Sequence, residues 1–115
     1  MVNKIIVGAH YGLKDWLIQR ISAVFMVVYC LVFIILLLGQ GELDYAGWRA
    51  FMAGGLMRFL TFLFIVNLMY HAWVGVRDIW MDYAKPTSLR FALHILTLLA
   101  LIGYTGWAVS ILWRL

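Results

Sequence analysis

Three uncharged stretches decide what this chain can become: Ile21 to Leu38 and Phe59 to Val76, each of 18 residues, and Phe91 to Trp113, of 23 residues. Each reaches or approaches the ~20 apolar residues that a helix needs to cross about 30 Å of hydrocarbon. A chain of 115 residues that is 66% apolar and 12% charged, with mean hydropathy +0.97, exceeds what a small soluble core can hide. A bilayer is the solvent that accepts the excess. In lipid the backbone must satisfy its own hydrogen bonds, so the stretches are expected as helices. Barrel strands would be shorter and would alternate apolar with polar residues. The expected fold is an all-α integral membrane protein with three transmembrane helices, a single domain over residues 1–115 with spans at 21–38, 59–76 and 91–113. Arg58 can snorkel, which would let the second helix begin earlier, near Phe51.

The first stretch is expected to be retained. It is too long and starts too late for a signal-peptide core, and GQGELDY follows it rather than a small-residue cleavage site. The first twenty residues lack the Arg and Ser richness of a transit peptide, so a bacterial inner membrane is expected rather than a mitochondrial one. The nine basic residues are spread singly along the chain, which argues for membrane topology and against nucleic acid. An odd number of spans puts the N-terminus and the 77–90 loop on one side. That side carries Lys4, Lys14, Arg20, Arg77, Lys85 and Arg90; the other carries Arg49, Arg58 and Arg114. The positive-inside rule then predicts a cytoplasmic N-terminus and a periplasmic C-terminus. The 39–58 segment reads as a mixed loop with room for a short interfacial helix. The single Cys30 sits mid-run, where a buried small hydrophobe is expected.

The second span carries the polar signal. Counting by three and four along a helix, Asn67, His71, Gly75, Asp78 and Asp82 fall on one stripe. Polar groups are costly in hydrocarbon, so the stripe should face protein, a cofactor or water. His71 lies five residues from the end of its run, about 8 Å deep at 1.5 Å per residue. One of its nitrogens could ligate haem iron while the other donates a hydrogen bond; an imidazole bonded to an adjacent helix fits the same residue. Gly75 removes bulk from that face, as a flat macrocycle or a close helix neighbour would require. His94 sits at a similar depth in the third run, so two histidines of one chain clamping an iron remain open beside an interfacial role. His10 reads as a solvent-exposed tail residue. Tyr83 reads as an interfacial aromatic or as a donor to a carbonyl-bearing ligand. Arg20 reads as a snorkelling cation or a propionate or phosphate partner. Trp16, Trp48, Trp80 and Trp113, near span ends, are expected as anchors. All five acidic residues lie outside the runs, which counts against a proton-coupled carrier.

The stretch HAWVGVRDIWMDYAKP, residues 71–86, strongly resembles the H-x-W-x-G-x(6)-D-Y-x-K-P segment of the cytochrome b-type membrane anchor family of succinate dehydrogenases. The layout is similar too, with Arg20 opening the first span and a GEL-x-Y loop after it. The resemblance covers nearly the whole chain, and its specific part is 71–86. It implies that the helices pack with a second cytochrome b-type anchor subunit into a haem-binding bundle, docked by an iron–sulfur subunit and a flavoprotein subunit. It implies His71 as an axial ligand of a shared haem b, the other axial histidine coming from the partner, so that His94 need not be a ligand. It implies Tyr83 at the ubiquinone site with Asp82 beside it, and Arg20 near the haem propionates. The chain alone would then catalyse nothing. The rival expectations are a haem-free anchor of the fumarate reductase type and a structural transmembrane subunit without cofactor.

Overall fold

The computed structural model of the chain describes residues 3–115, with side chains from Gly12 onward. Every regular element among the described residues is a helix: α1 (Asn3–Leu38), α2 (Tyr45–Ala53), α3 (Gly55–Tyr83) and α4 (Thr87–Trp113). Three of them are long and apolar enough to cross a membrane, at Gly12–Leu38, Gly55–Tyr83 and Thr87–Trp113. The helices thus run past the uncharged stretches, taking Asp15 and Arg20 into α1 and Asp78, Asp82 and Tyr83 into α3. His10 lies outside the described side chains.

The breaks follow local chemistry. α1 stops at the Gly39–Gln40–Gly41 turn, where Gly41 adopts φ +77°, a conformation that side chains with a Cβ resist. Asp44 caps α2 by accepting a hydrogen bond from the Gly47 amide at 2.7 Å. The expectation that the second span might begin near Phe51 is corrected here. Phe51 belongs to the separate helix α2, and Gly54, with ψ 139°, turns the chain before α3 begins. Consecutive glycines at 54 and 55 make that break cheap, since glycine is about 1 kcal/mol worse than alanine inside a helix. α3 ends at Tyr83, and Pro86, with φ −64°, caps the start of α4.

α3 is the middle helix. α1 packs against it on one side and α4 on another, while α2 folds back on α3 and α4. The body is long and thin, 64 × 27 × 20 Å. Few described residues are buried: Met52, Met57, Val74, Ala84, Leu112 and Ser22. Large apolar side chains such as Ile21, Ile35, Leu96 and Ile102 lie open along the helices. On a soluble protein that surface would be an aggregation liability; in a bilayer it meets lipid or another membrane subunit. The same thinness corrects the expectation for Cys30, which is exposed: a single layer of helices has almost no interior to bury it in.

Lipid tails are as apolar as leucine, so apolar contact alone cannot choose how the helices meet. Hydrogen bonds and close approaches choose instead. Tyr29 and Thr61 hydroxyls meet at 2.7 Å between α1 and α3, and Tyr29 stacks on Phe64 with centroids 4.4 Å apart. Arg77 of α3 pairs with Asp15 of α1 and lies 3.5 Å from Asp78. Trp80 Nε1 donates to Thr97 Oγ1 at 2.8 Å, tying α3 to α4. Trp80 is therefore a helix tie rather than only an interfacial anchor. Trp113 likewise packs edge-on against Phe62 and beneath the Arg58 guanidinium.

Gly75 faces α1: a Cβ there would lie 3.4 Å from Gln19 Nε2. The close helix neighbour expected for Gly75 is therefore present. Alanine is expected to fit. Gly75→Leu should force the helices apart at a cost of about 1–3 kcal/mol, the usual range for overpacking. Thermal unfolding of the detergent-solubilised assembly should show a lower midpoint for Gly75→Leu and a near-native one for Gly75→Ala; equal midpoints would mean the contact is not tight.

Candidate functional site

A polar nest sits between α1 and α3 within the apolar length of both helices. His71 is half-buried, and its Nδ1 lies 2.8 Å from Ser22 Oγ. Ser22 is only 4% exposed, and its hydroxyl is also 3.0 Å from the Gln19 carbonyl. Two amides lock the pair in reciprocal fashion. Gln19 Nε2 of α1 donates to the His71 carbonyl of α3 at 3.3 Å, and Asn67 Nδ2 of α3 donates to the Ser22 carbonyl of α1 at 2.9 Å. Each such interhelical bond is worth about 0.6 kcal/mol on average in a membrane protein, so the nest orients more than it stabilises. His71 Nε2 has no hydrogen-bond partner among the described residues.

The stripe expected on α3 is therefore divided. Asn67, His71 and Gly75 face α1. Asp78 lies beside Arg77 with its side chain largely open, and Asp82 is exposed. Tyr83, the last residue of α3, is 79% exposed, as an interfacial side chain awaiting a partner surface would be. Tyr83 follows His71 by twelve residues on one helix, about 18 Å of axial rise. The two residues therefore serve separate positions rather than one site. Arg20 is exposed on α1, its guanidinium 5.6 Å from the centre of the Trp16 ring, and it touches neither His71 nor Tyr83.

His94 is placed differently. Its Nδ1 lies 2.7 Å from the Arg90 carbonyl one helical turn earlier, and its ring meets Trp73 edge-on with centroids 5.7 Å apart. Trp73 is two residues from His71, roughly 200° around α3. The two imidazoles thus lie against different neighbours, and a single iron clamped by both histidines of this chain does not fit. Among the described residues no three His, Cys, Asp or Glu side chains gather as a metal centre. Within the α1–α3 nest the donor left over is a single imidazole nitrogen, His71 Nε2.

Gln19, Ser22 and Asp15 were not singled out in the sequence, although their spacing of three and four residues on α1 matches the spacing of Asn67, His71, Gly75 and Asp78 on α3. That match between two polar stripes at one end of two spans was the available signal.

Residues 3–109 match the family described as succinate dehydrogenase/fumarate reductase transmembrane subunit. The chain is also similar to the succinate dehydrogenase hydrophobic membrane anchor subunit of Coxiella burnetii (strain RSA 493 / Nine Mile phase I). The two are 36% identical over 102 residues, covering 89% of each chain.

Proposed function

Because this chain belongs to the family of succinate dehydrogenase and fumarate reductase transmembrane subunits, we propose that it is a haem-bearing anchor of a succinate:ubiquinone oxidoreductase, contributing His71 to a shared b haem and Tyr83 to the site of quinone reduction. The observation that carries the haem reading is His71 itself: an imidazole held by one nitrogen inside a membrane-spanning helix pair, with Nε2 unpartnered among the described residues. A polar atom in that setting is costly unless something binds it.

A bound b haem supplies a one-electron carrier within the membrane. His71 would hold the haem iron from this chain through Nε2, and a second cytochrome b-type anchor subunit would supply the other histidine. Arg20, exposed on α1 beside the Trp16 ring, offers a cation to a propionate. Tyr83 works at the other position. Its hydroxyl donates a hydrogen bond to a quinone carbonyl oxygen and stabilises the negative charge that builds there on reduction, as a fixed donor does best. Asp82, next along the helix, is placed to orient that hydroxyl or to pass a proton. Electrons would reach the quinone from succinate through a flavoprotein and an iron–sulfur subunit docked over the Tyr83 end. The excess of positive residues at that end supports a cytoplasmic orientation for it, in what we read as a bacterial inner membrane.

The test is a reduced-minus-oxidised visible spectrum of membranes holding this chain assembled with its neighbouring subunits. A b-type band supports the reading. An assembled complex with no band would leave a haem-free anchor of the fumarate reductase type.

A further inference from the structure

We propose that Ser22 is the positioning residue that sets the tautomer and orientation of His71, by accepting the Nδ1 proton of the imidazole and so leaving the Nε2 lone pair free for a metal. The inference rests on the reading of His71 as a haem ligand.

The count of available protons decides it. Ser22 Oγ carries one proton and lies within reach of two groups, the Gln19 carbonyl at 3.0 Å and His71 Nδ1 at 2.8 Å. A carbonyl oxygen can only accept, so the hydroxyl proton goes to Gln19 and the 2.8 Å contact requires the proton on Nδ1. The opposite arrangement would send the serine proton to Nδ1 and put the imidazole proton on Nε2. That N–H has no acceptor among the described residues, and an unpaired donor is costly within a membrane span. Both interactions of the serine are kept only when Nε2 is bare.

The serine is itself held. It is nearly inaccessible, its carbonyl accepts from Asn67, and Gln19 reaches across to the His71 carbonyl. The acceptor and the imidazole are thus fixed to each other's helix on both sides, and the ring has little freedom to turn. An acceptor on the other N–H raises the basicity of a ligating imidazole, and its removal typically costs about 10–100-fold in metal affinity. A more basic ligand favours the oxidised metal, so loss of the acceptor should raise the haem midpoint potential.

The test compares two residues of one shape in the assembled complex, Ser22→Thr and Ser22→Val. Threonine keeps a hydroxyl and valine does not. Ser22→Thr is expected to keep the wild-type midpoint potential and haem content. Ser22→Val is expected to raise the potential and to weaken haem retention by about 10–100-fold during dilution in detergent. Tyr29→Phe removes a different α1–α3 hydrogen bond and leaves Ser22 alone; it should leave the potential unchanged. A wild-type potential in Ser22→Val overturns the proposal. So does an equal shift in Tyr29→Phe, which would trace the effect to loosened helices rather than to the acceptor. His71→Ala separates the two levels. If that variant keeps the native haem band, the ligand reading has failed and Ser22 falls with it. If it loses the band while Ser22→Val keeps its potential, the ligand reading stands and only the role of Ser22 is overturned.

Discussion

In the complex carrying His71→Ala, the b-type band of the reduced-minus-oxidised spectrum is expected to collapse. The substitution removes an imidazole nitrogen that stands within a span and has no hydrogen-bond partner among the described residues. The affinity lost should exceed the about 10–100-fold typical of removing an acceptor on the other N–H, because an iron–nitrogen bond goes with it. Asn67 and Gln19 still join the two backbones, since both bond to main-chain carbonyls rather than to the imidazole. The subunits should therefore still assemble. His71→Met offers a sharper version, because a thioether can ligate iron in place of a nitrogen and raises the potential. Retention of a low-spin band with a raised potential in that variant would place residue 71 on the iron. His94→Ala should leave the band as it is, since that ring rests on Trp73 on a different side of α3. A native spectrum in His71→Ala would remove the ligand assignment.

Tyr83→Phe is expected to lower quinone reduction by about 10–100-fold, the rate equivalent of the roughly 1.5–3 kcal/mol carried by a hydrogen bond to a charged group. The ring is retained, and Tyr83 is 79% exposed at the end of α3 with no hydrogen bond from its hydroxyl among the described residues, so the fold has no stake in it. Succinate oxidation measured with a soluble artificial acceptor should continue at the native rate. The haem spectrum should also persist, because Tyr83 stands about 18 Å along the helix from His71. Equal loss of both activities would point to failed docking of the soluble subunits rather than to a lost donor at the quinone.

The division of labour between these residues was partly legible in one dimension. Three uncharged runs in a backbone that lipid forces to be helical leave little choice of secondary structure, and the runs carry that information in their length alone. His71 stood out because a polar side chain inside such a run needs a reason. Pro86 and the glycines at 41 and 54 stand at the turns the chain makes. Periodicity also grouped Asn67, His71 and Gly75 correctly on one face. It could not say what lay opposite. A helical repeat is a property of one segment, whereas a hydrogen bond between spans depends on register and rotation, which are set where the helices touch. Ser22 looked like an ordinary hydroxyl at the start of a span until α1 was laid against α3 and brought its Oγ to 2.8 Å from His71. Trp80 looked like an interfacial anchor until α4 presented Thr97 to it. Sequence by itself determined that this chain crosses a membrane as three helices with one conspicuous histidine. Only the tertiary structure decided which nitrogen of that histidine is held and which is left open, because in lipid the apolar surface favours no particular partner and a few polar contacts must choose it.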